Sequence, residues 1–116
     1  MNLNNISICI GDLIGIPNVC FNGTLDAEHE EIVASILECF SSRNSGSIVL
    51  DIVGLKFDGV EGACVMINAI NSVSDSLSIH IASSSAGMDI LSTVKLSNNV
   101  RFYLSTEEIA THIMSN

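Results

Sequence analysis

Residues Ser47 to Gly62, SIVLDIVGLKFDGVEG, restrict the fold more than any other stretch of this chain. An apolar run broken by one acid, Ile48-Val49-Leu50-Asp51-Ile52-Val53, leads into a loop that closes on Gly59 and Gly62, either side of Val60 and Glu61. A second apolar run, Ala63-Cys64-Val65-Met66-Ile67, then starts without the alternation of a strand. A strand covered on both faces reads as a continuous apolar run, so the segment predicts a buried strand, a loop and the start of a buried helix. The first N–H groups of such a helix have no intrahelical partner. Small α/β domains tend to place their chemistry or contacts at junctions of this kind.

The rest of the sequence reads as support for that junction. Asn5 to Ile10 predicts a first short strand, and Gly11-Asp12 a turn. A second strand runs from Ile16 to Phe21, with Pro17 at its start because it cannot donate to a ladder. Asn22-Gly23-Thr24 reads as a break, after which Thr24 or Asp26 caps a helix over about Ala27 to Ser41. Ile32, Val33, Ile36, Leu37 and Phe40 form one face of that helix, and Ser41 to Gly46 ends it. The third strand, Ile48 to Val53, is central. The second helix covers about Glu61 to Val73, with Val65, Met66, Ala69, Ile70 and Val73 inward. Leu77 to Ala82 alternates as a fourth strand, Ser83-Ser84-Ser85 caps a short third helix, and Val100, Phe102 and Leu104 mark a fifth strand. Ser105 to Glu108 is a capping box for a last helix, Glu107 to Met114. Strands alternating with helices imply an α/β fold: a mixed, mostly parallel sheet of about five strands flanked by about four helices, in one domain over residues 1–116.

Composition narrows the function. Four basic residues against 13 acidic ones give a net charge of −9. Arg43, Lys56, Lys95 and Arg101 are too few and too scattered to neutralise nucleic-acid phosphates or an anionic membrane surface. No uncharged apolar stretch approaches the roughly 20 residues that span a bilayer, and the start of the chain lacks the features of a signal peptide. A cytoplasmic location follows as the expectation. Cys9, Cys20, Cys39 and Cys64 stand singly in apolar segments and are expected to be small buried hydrophobes; without close ligand pairs no metal site is expected. His29, His80 and His112 lie on separate predicted elements, so no catalytic triad is suggested, and no cofactor motif is present; His80 reads as a half-exposed strand residue.

Several pieces in order resemble a STAS domain, the fold of bacterial anti-sigma factor antagonists, from about Val19 to the last helix. Phe21-Asn22-Gly23-Thr24-Leu25-Asp26-Ala27 is similar to that family's Gly-x-Leu-Asp, Ile48 to Asp51 with Leu55 and Phe57 to its central strand, and Ser105 to Ala110 to its Ser-x-Glu-Glu-Ala close. The family's Asp-Ser-Ser-Gly loop falls on Gly59-Val60-Glu61-Gly62, with Asp58 one place earlier. The resemblance implies a non-catalytic regulator that binds a serine kinase or anti-sigma factor through Asp58, Gly59, Val60, Glu61 and Gly62. Val60 takes the position that is phosphorylated in switchable members, and no Ser or Thr lies between Ser47 and Ser72, so that modification is not expected here. Glu61 places a fixed negative charge beside the helix start, or serves only as a good first-turn residue. The alternative is an accessory subunit of a lipid-trafficking ABC transporter that docks on its ATPase with the same surface. A homodimer is compatible with either, and a small-molecule or lipid binder has no positive sign in the residues.

Overall fold

Ile48, Val49 and Leu50 are all inaccessible to solvent. Three consecutive buried residues in a strand need cover on both faces, and the architecture supplies it. A computed structural model describes residues 2–43 and 46–115. Among these residues seven strands form one sheet: β1 (Asn2–Leu3), β2 (Ile6–Leu13), β3 (Ile16–Leu25), β4 (Ser47–Asp51), β5 (Leu55–Phe57), β6 (Ser78–Ala82) and β7 (Val100–Tyr103). The order is β1-β2-β3-β4-β6-β7, with β5 on β3. The pairings of β1 with β2 and of β2 with β3 are antiparallel, and the rest are parallel. Four α-helices complete the fold: α1 (Glu30–Ser42), α2 (Gly59–Val73), α3 (Ser85–Leu91) and α4 (Thr106–Met114). The expected α/β architecture with a mostly parallel sheet is what forms.

The main core lies between one face of the sheet and α1, α2 and α3. Val33, Leu37 and Phe40 of α1, Met66, Ile70 and Val73 of α2 and Leu91 of α3 pack on Phe21, Leu50, Ile79 and Ile81. Among the described residues the opposite face is covered by α4, where Ile109 packs on Val49 and Ala82. The expectation that the cysteines are buried is overturned, for Cys9 and Cys20 by this asymmetry. Cys9, Cys39 and Cys64 are exposed, and Cys20 is half-exposed. Cys9 and Cys20 face each other across the β2–β3 ladder, and Cys20 shares a row with Asp51, Ala82 and Tyr103 on the α4 side. A single helix leaves that end of the sheet open. Cys39 and Cys64 fall on the outward sides of α1 and α2. Burial, then the nearby Asp51 carboxylate, push the Cys20 thiol up from its ordinary range. The thiolate is the reactive form. In the folded protein Cys9, Cys39 and Cys64 are therefore expected to label promptly with a thiol reagent near neutral pH, and Cys20 to lag. Peptide mass spectrometry on a time course checks this, and protection of the first three until unfolding would contradict the packing.

Other differences are local. The turn expected at Gly11-Asp12 falls at Ile14-Gly15, between β2 and β3, both with positive φ (51° and 82°), as a two-residue hairpin loop needs. Gly11-Asp12 lies inside β2 instead, and Asp12 acts at a distance, its Oδ2 accepting from Gly15 N–H at 2.9 Å. Asn22-Gly23-Thr24 does not break β3. The ladder changes partner there, from β4 at residues 18–20 to β5 at 23–25, with Gly23 at φ 108°. Asp26 is the cap before α1, opening a 3-10 turn over Ala27–His29. Ser105 caps α4 through Glu108 N–H, while Glu108 reaches back to Leu104 N–H at 2.9 Å, one residue before the cap. The short β1 and β5 add to the five expected strands. The expected end of the first helix includes Asn44 and Ser45, which lie outside the described residues. No described helix is long and apolar enough to cross a membrane.

Candidate functional site

The junction after β5 is built on the end of β3. Asp58 N–H donates to the Leu25 carbonyl at 2.8 Å, and Gly62 N–H donates to the Asp58 carbonyl at 3.3 Å as the first turn of α2 closes. Gly59 makes the bend with φ 68°, a left-handed value that glycine adopts at no steric cost. Gly62 is buried, and its Cα faces the Leu25 carbonyl so closely that any Cβ there would strike the oxygen. The helix start is thus seated directly on the strand end by backbone contact.

Asp58, Gly59, Val60 and Glu61 are exposed on that seat, Val60 to 79 %. Asp58 is the N-cap residue, yet its carboxylate accepts no capping bond, with the backbone at φ −85° and ψ 89°. The first turn of α2 therefore presents its orphan N–H donors without a side-chain cap. Glu61 sits in that first turn, where an acid is favoured by a few tenths of a kcal/mol. Of the five residues singled out from sequence, four form the exposed corner and Gly62 lies beneath it as its support.

Val60 is a ridge between two depressions. On one side a groove of about 440 Å³ runs between α2 and α3, lined by Phe57, Ala63, Ile67, Ile90 and Val94. Ile90 and Val94 are 40 % and 42 % exposed, so this is an apolar surface with nothing packed over it. On the other side a shallower hollow of about 240 Å³ carries Glu30 and Glu61. The corner combines an apolar slot, a protruding Val60 and carboxylates on the far flank. Sequence reasoning found the acids but missed the slot, because it depends on how α3 settles beside α2. Among the described residues no three His, Cys, Asp or Glu side chains gather as metal ligands.

The histidines are not as scattered as the sequence suggests. His29 is buried. His80 and His112 meet across Tyr103, with ring centroids 5.9 and 5.8 Å from it, and His80 Nδ1 lies 3.2 Å from the Tyr103 hydroxyl. Parallel register brings β6 beside β7, and α4 carries His112 back over them, which no local spacing announces.

No protein-family model matches this sequence, and no curated protein matches it. Solved structures do. An anti-sigma factor antagonist from Mycobacterium paratuberculosis superposes with a TM-score of 0.74 at 14 % identity, covering 94 % of this chain and 94 % of that one. The anti-sigma factor antagonist SpoIIAA in its unphosphorylated form superposes at 0.65 with 11 % identity, over 95 % of this chain and 99 % of that one. The phosphorylated form of SpoIIAA, a Bacillus cell fate determinant, superposes at 0.62 with 11 % identity, over 91 % and 99 %. The chain has a STAS-like fold.

Proposed function

We propose that this chain, as a single domain, is a regulatory STAS-type module that acts by binding a protein partner and not by catalysis, in the cytoplasm. The partner is a serine kinase or anti-sigma factor, and the contact is the corner at residues 58–62. One observation carries the reading: the uncapped start of α2 displays Asp58, Val60 and Glu61 to solvent beside an apolar groove with no cover. An exposed apolar slot rimmed by charge is the usual anatomy of a protein contact. SpoIIAA is solved with and without phosphate. In this chain Val60 offers no hydroxyl at the matching position, so the corner works in one fixed state. The acid on its flank suits a partner with a basic patch, which the net charge of −9 would help to steer in.

Capture from a native lysate with wild-type and Glu61→Lys baits tests the proposal. Glu61 is exposed, so the variant is expected to keep its melting temperature within about 1–2 °C while losing most of the partner, as an exposed substitution away from packing costs little. Equal capture by both baits removes the corner from the contact. A kinase or anti-sigma factor retained by wild type alone supports the proposed class; a transporter ATPase retained in the same way replaces it with the accessory-subunit reading. Incubation with a captured kinase is expected to leave residues 58–62 without phosphate by mass spectrometry.

A further inference from the structure

Cys9 and Cys20 stand directly opposite one another on β2 and β3, so their side chains leave the same face of the sheet. It is the face that α4 covers only in part, and there Cys9 is exposed and Cys20 half-exposed. The hairpin closes on Leu13 and Ile16 around a two-residue loop, which makes that pair hydrogen-bonded, and bonded and non-bonded pairs alternate from there along the ladder. Pro17, which has no N–H, accordingly falls at a non-bonded place opposite Asp12, and Cys9–Cys20 falls at a bonded one. Cα atoms at a bonded pair are about 5.5 Å apart, inside the roughly 4.4–6.8 Å that a disulfide spans. The Cβ atoms start at or beyond the wide end of the disulfide range, roughly 4.5 Å, so closure draws the two strands together. β2 can give at this point: among the described residues β1 pairs only with Ile6 and Ser7, and Cys9 is paired with β3 alone.

We propose that Cys9 and Cys20 are a redox-active dithiol, which a small-molecule disulfide of the glutathione type closes to a reversible Cys9–Cys20 bond. The exposed Cys9 meets the oxidant first. Its thiolate attacks one sulfur of glutathione disulfide, forming a mixed disulfide and releasing one glutathione thiolate, which takes up the proton that Cys9 gave up. Cys20 then loses its proton and attacks the Cys9 sulfur, and the second glutathione leaves as a thiol. Two protein thiols are oxidised by two electrons and one glutathione disulfide is reduced to two glutathiones. Cys20 suits the second step. Burial, then the Asp51 carboxylate beside it, push its thiol up from the ordinary range, which slows it as the starting nucleophile. Asn22 Nδ2 donates to its sulfur at 3.3 Å and holds it on the open face. Once Cys9 carries the mixed disulfide, its sulfur is within reach across a single ladder step, and the reaction is intramolecular. The stretched Cβ spacing leaves the product strained, and strained or exposed disulfides are the easily reduced ones. Cys39 and Cys64 are carried outward on α1 and α2, and neither has a cysteine opposite it in the sheet. The dithiol is independent of the 58–62 corner.

The experiment treats the folded, fully reduced chain with glutathione disulfide, blocks remaining thiols with iodoacetamide and reads the products by mass spectrometry. Digestion after acidic residues separates Cys9 from Cys20 at Asp12, Cys20 from Cys39 at Asp26 and Glu38, and Cys64 from the rest at Glu61. The wild type is expected to yield the Cys9 and Cys20 peptides joined to each other within one molecule, lighter by two hydrogens. Cys39 and Cys64 are expected to stop at the glutathione adduct, since no second thiol displaces it. Cys20→Ser keeps the size of the side chain and is expected to accumulate glutathione on Cys9, where the wild type holds only a trace. Cys39→Ser is expected to leave the Cys9–Cys20 bond unchanged. Excess reduced glutathione is expected to reopen the bond. Glutathione that stays on Cys9 in the wild type, a Cys9 that reacts alike in wild type and Cys20→Ser, or peptides joined only between molecules would overturn the dithiol. A bond that survives excess reduced glutathione would overturn its reversibility.

Discussion

Gly62→Ala is expected to destabilise the protein by about 1–3 kcal/mol, lowering the melting temperature by roughly 4–12 °C. The reason is contact with backbone, which cannot swing aside as a long side chain can. The added methyl would meet the Leu25 carbonyl oxygen and press on the Phe57 carbonyl carbon, at the point where α2 rests on β3 and β5. Relief requires α2 to move off the sheet, which strains the Asp58 N–H bond to that same Leu25 oxygen. It also loosens Val65, Met66 and Ala69 in the core. Gly11→Ala is the control: Gly11 lies in exposed β2 with nothing near its missing Cβ, and the change is expected to stay within about 0.5 kcal/mol. Thermal unfolding by circular dichroism reads both. If Gly62→Ala melts with the wild type, α2 is not seated on β3 as described. The variant is also expected to disturb the displayed corner, so lost partner binding in Gly62→Ala reports position, whereas loss in Glu61→Lys reports contact.

The parts of the molecule that were legible are those where one strong local signal decides. Ile48, Val49 and Leu50 are apolar in succession, and only a doubly covered central strand accommodates that. Val65, Met66, Ala69, Ile70 and Val73 recur with helical spacing and all are buried in α2. Ser105 followed by Glu108 carries its own hydrogen-bond logic. What was not legible depends on where distant segments come to rest. The cysteines look like core residues in their apolar segments, but the burial of Cys9 and Cys20 is decided by how far α4 covers the second face of the sheet, and that of Cys39 and Cys64 by which side of α1 and α2 faces outward. Gly11-Asp12 has turn composition, yet the loop length that closes the hairpin is set by the pairing of Leu13 with Ile16. The candidate corner was half readable: Asp58 and Glu61 are plain in the sequence, while the apolar slot beside them needs α3 in place. The His80–Tyr103–His112 group needs three elements in register and has no sequence signature.

His29 carries the other large expectation, flanked though it is by Glu28, Glu30 and Glu31. It is 2 % exposed. Its Nδ1 accepts from Asp26 N–H at 3.0 Å, which leaves Nε2 as the donor to the Asn4 carbonyl at 2.7 Å. One ring thus closes the capping box ahead of α1 and pins the Asn4-Asn5 turn, whose residues hold φ of 34° and 74°, to the body of the protein. Thr24 N–H makes the second tie, to the Asn5 carbonyl at 2.9 Å. His29→Leu keeps an apolar side chain in the hole but leaves a donor and an acceptor partly buried without partners, and is expected to cost about 1–3 kcal/mol. The fall in melting temperature is then roughly 4–12 °C. His29→Gln, whose amide oxygen can accept from Asp26 N–H as in a standard capping box or whose NH2 can donate toward Asn4, is expected to recover part of the loss. Hydrogen exchange separates this role from simple packing. The Asp26 amide is expected to lose protection in His29→Leu, well beyond the loss set by global stability, because the imidazole is its acceptor. If it stays protected in His29→Leu, the ring only fills space and the hairpin is held by the sheet ladder and Thr24.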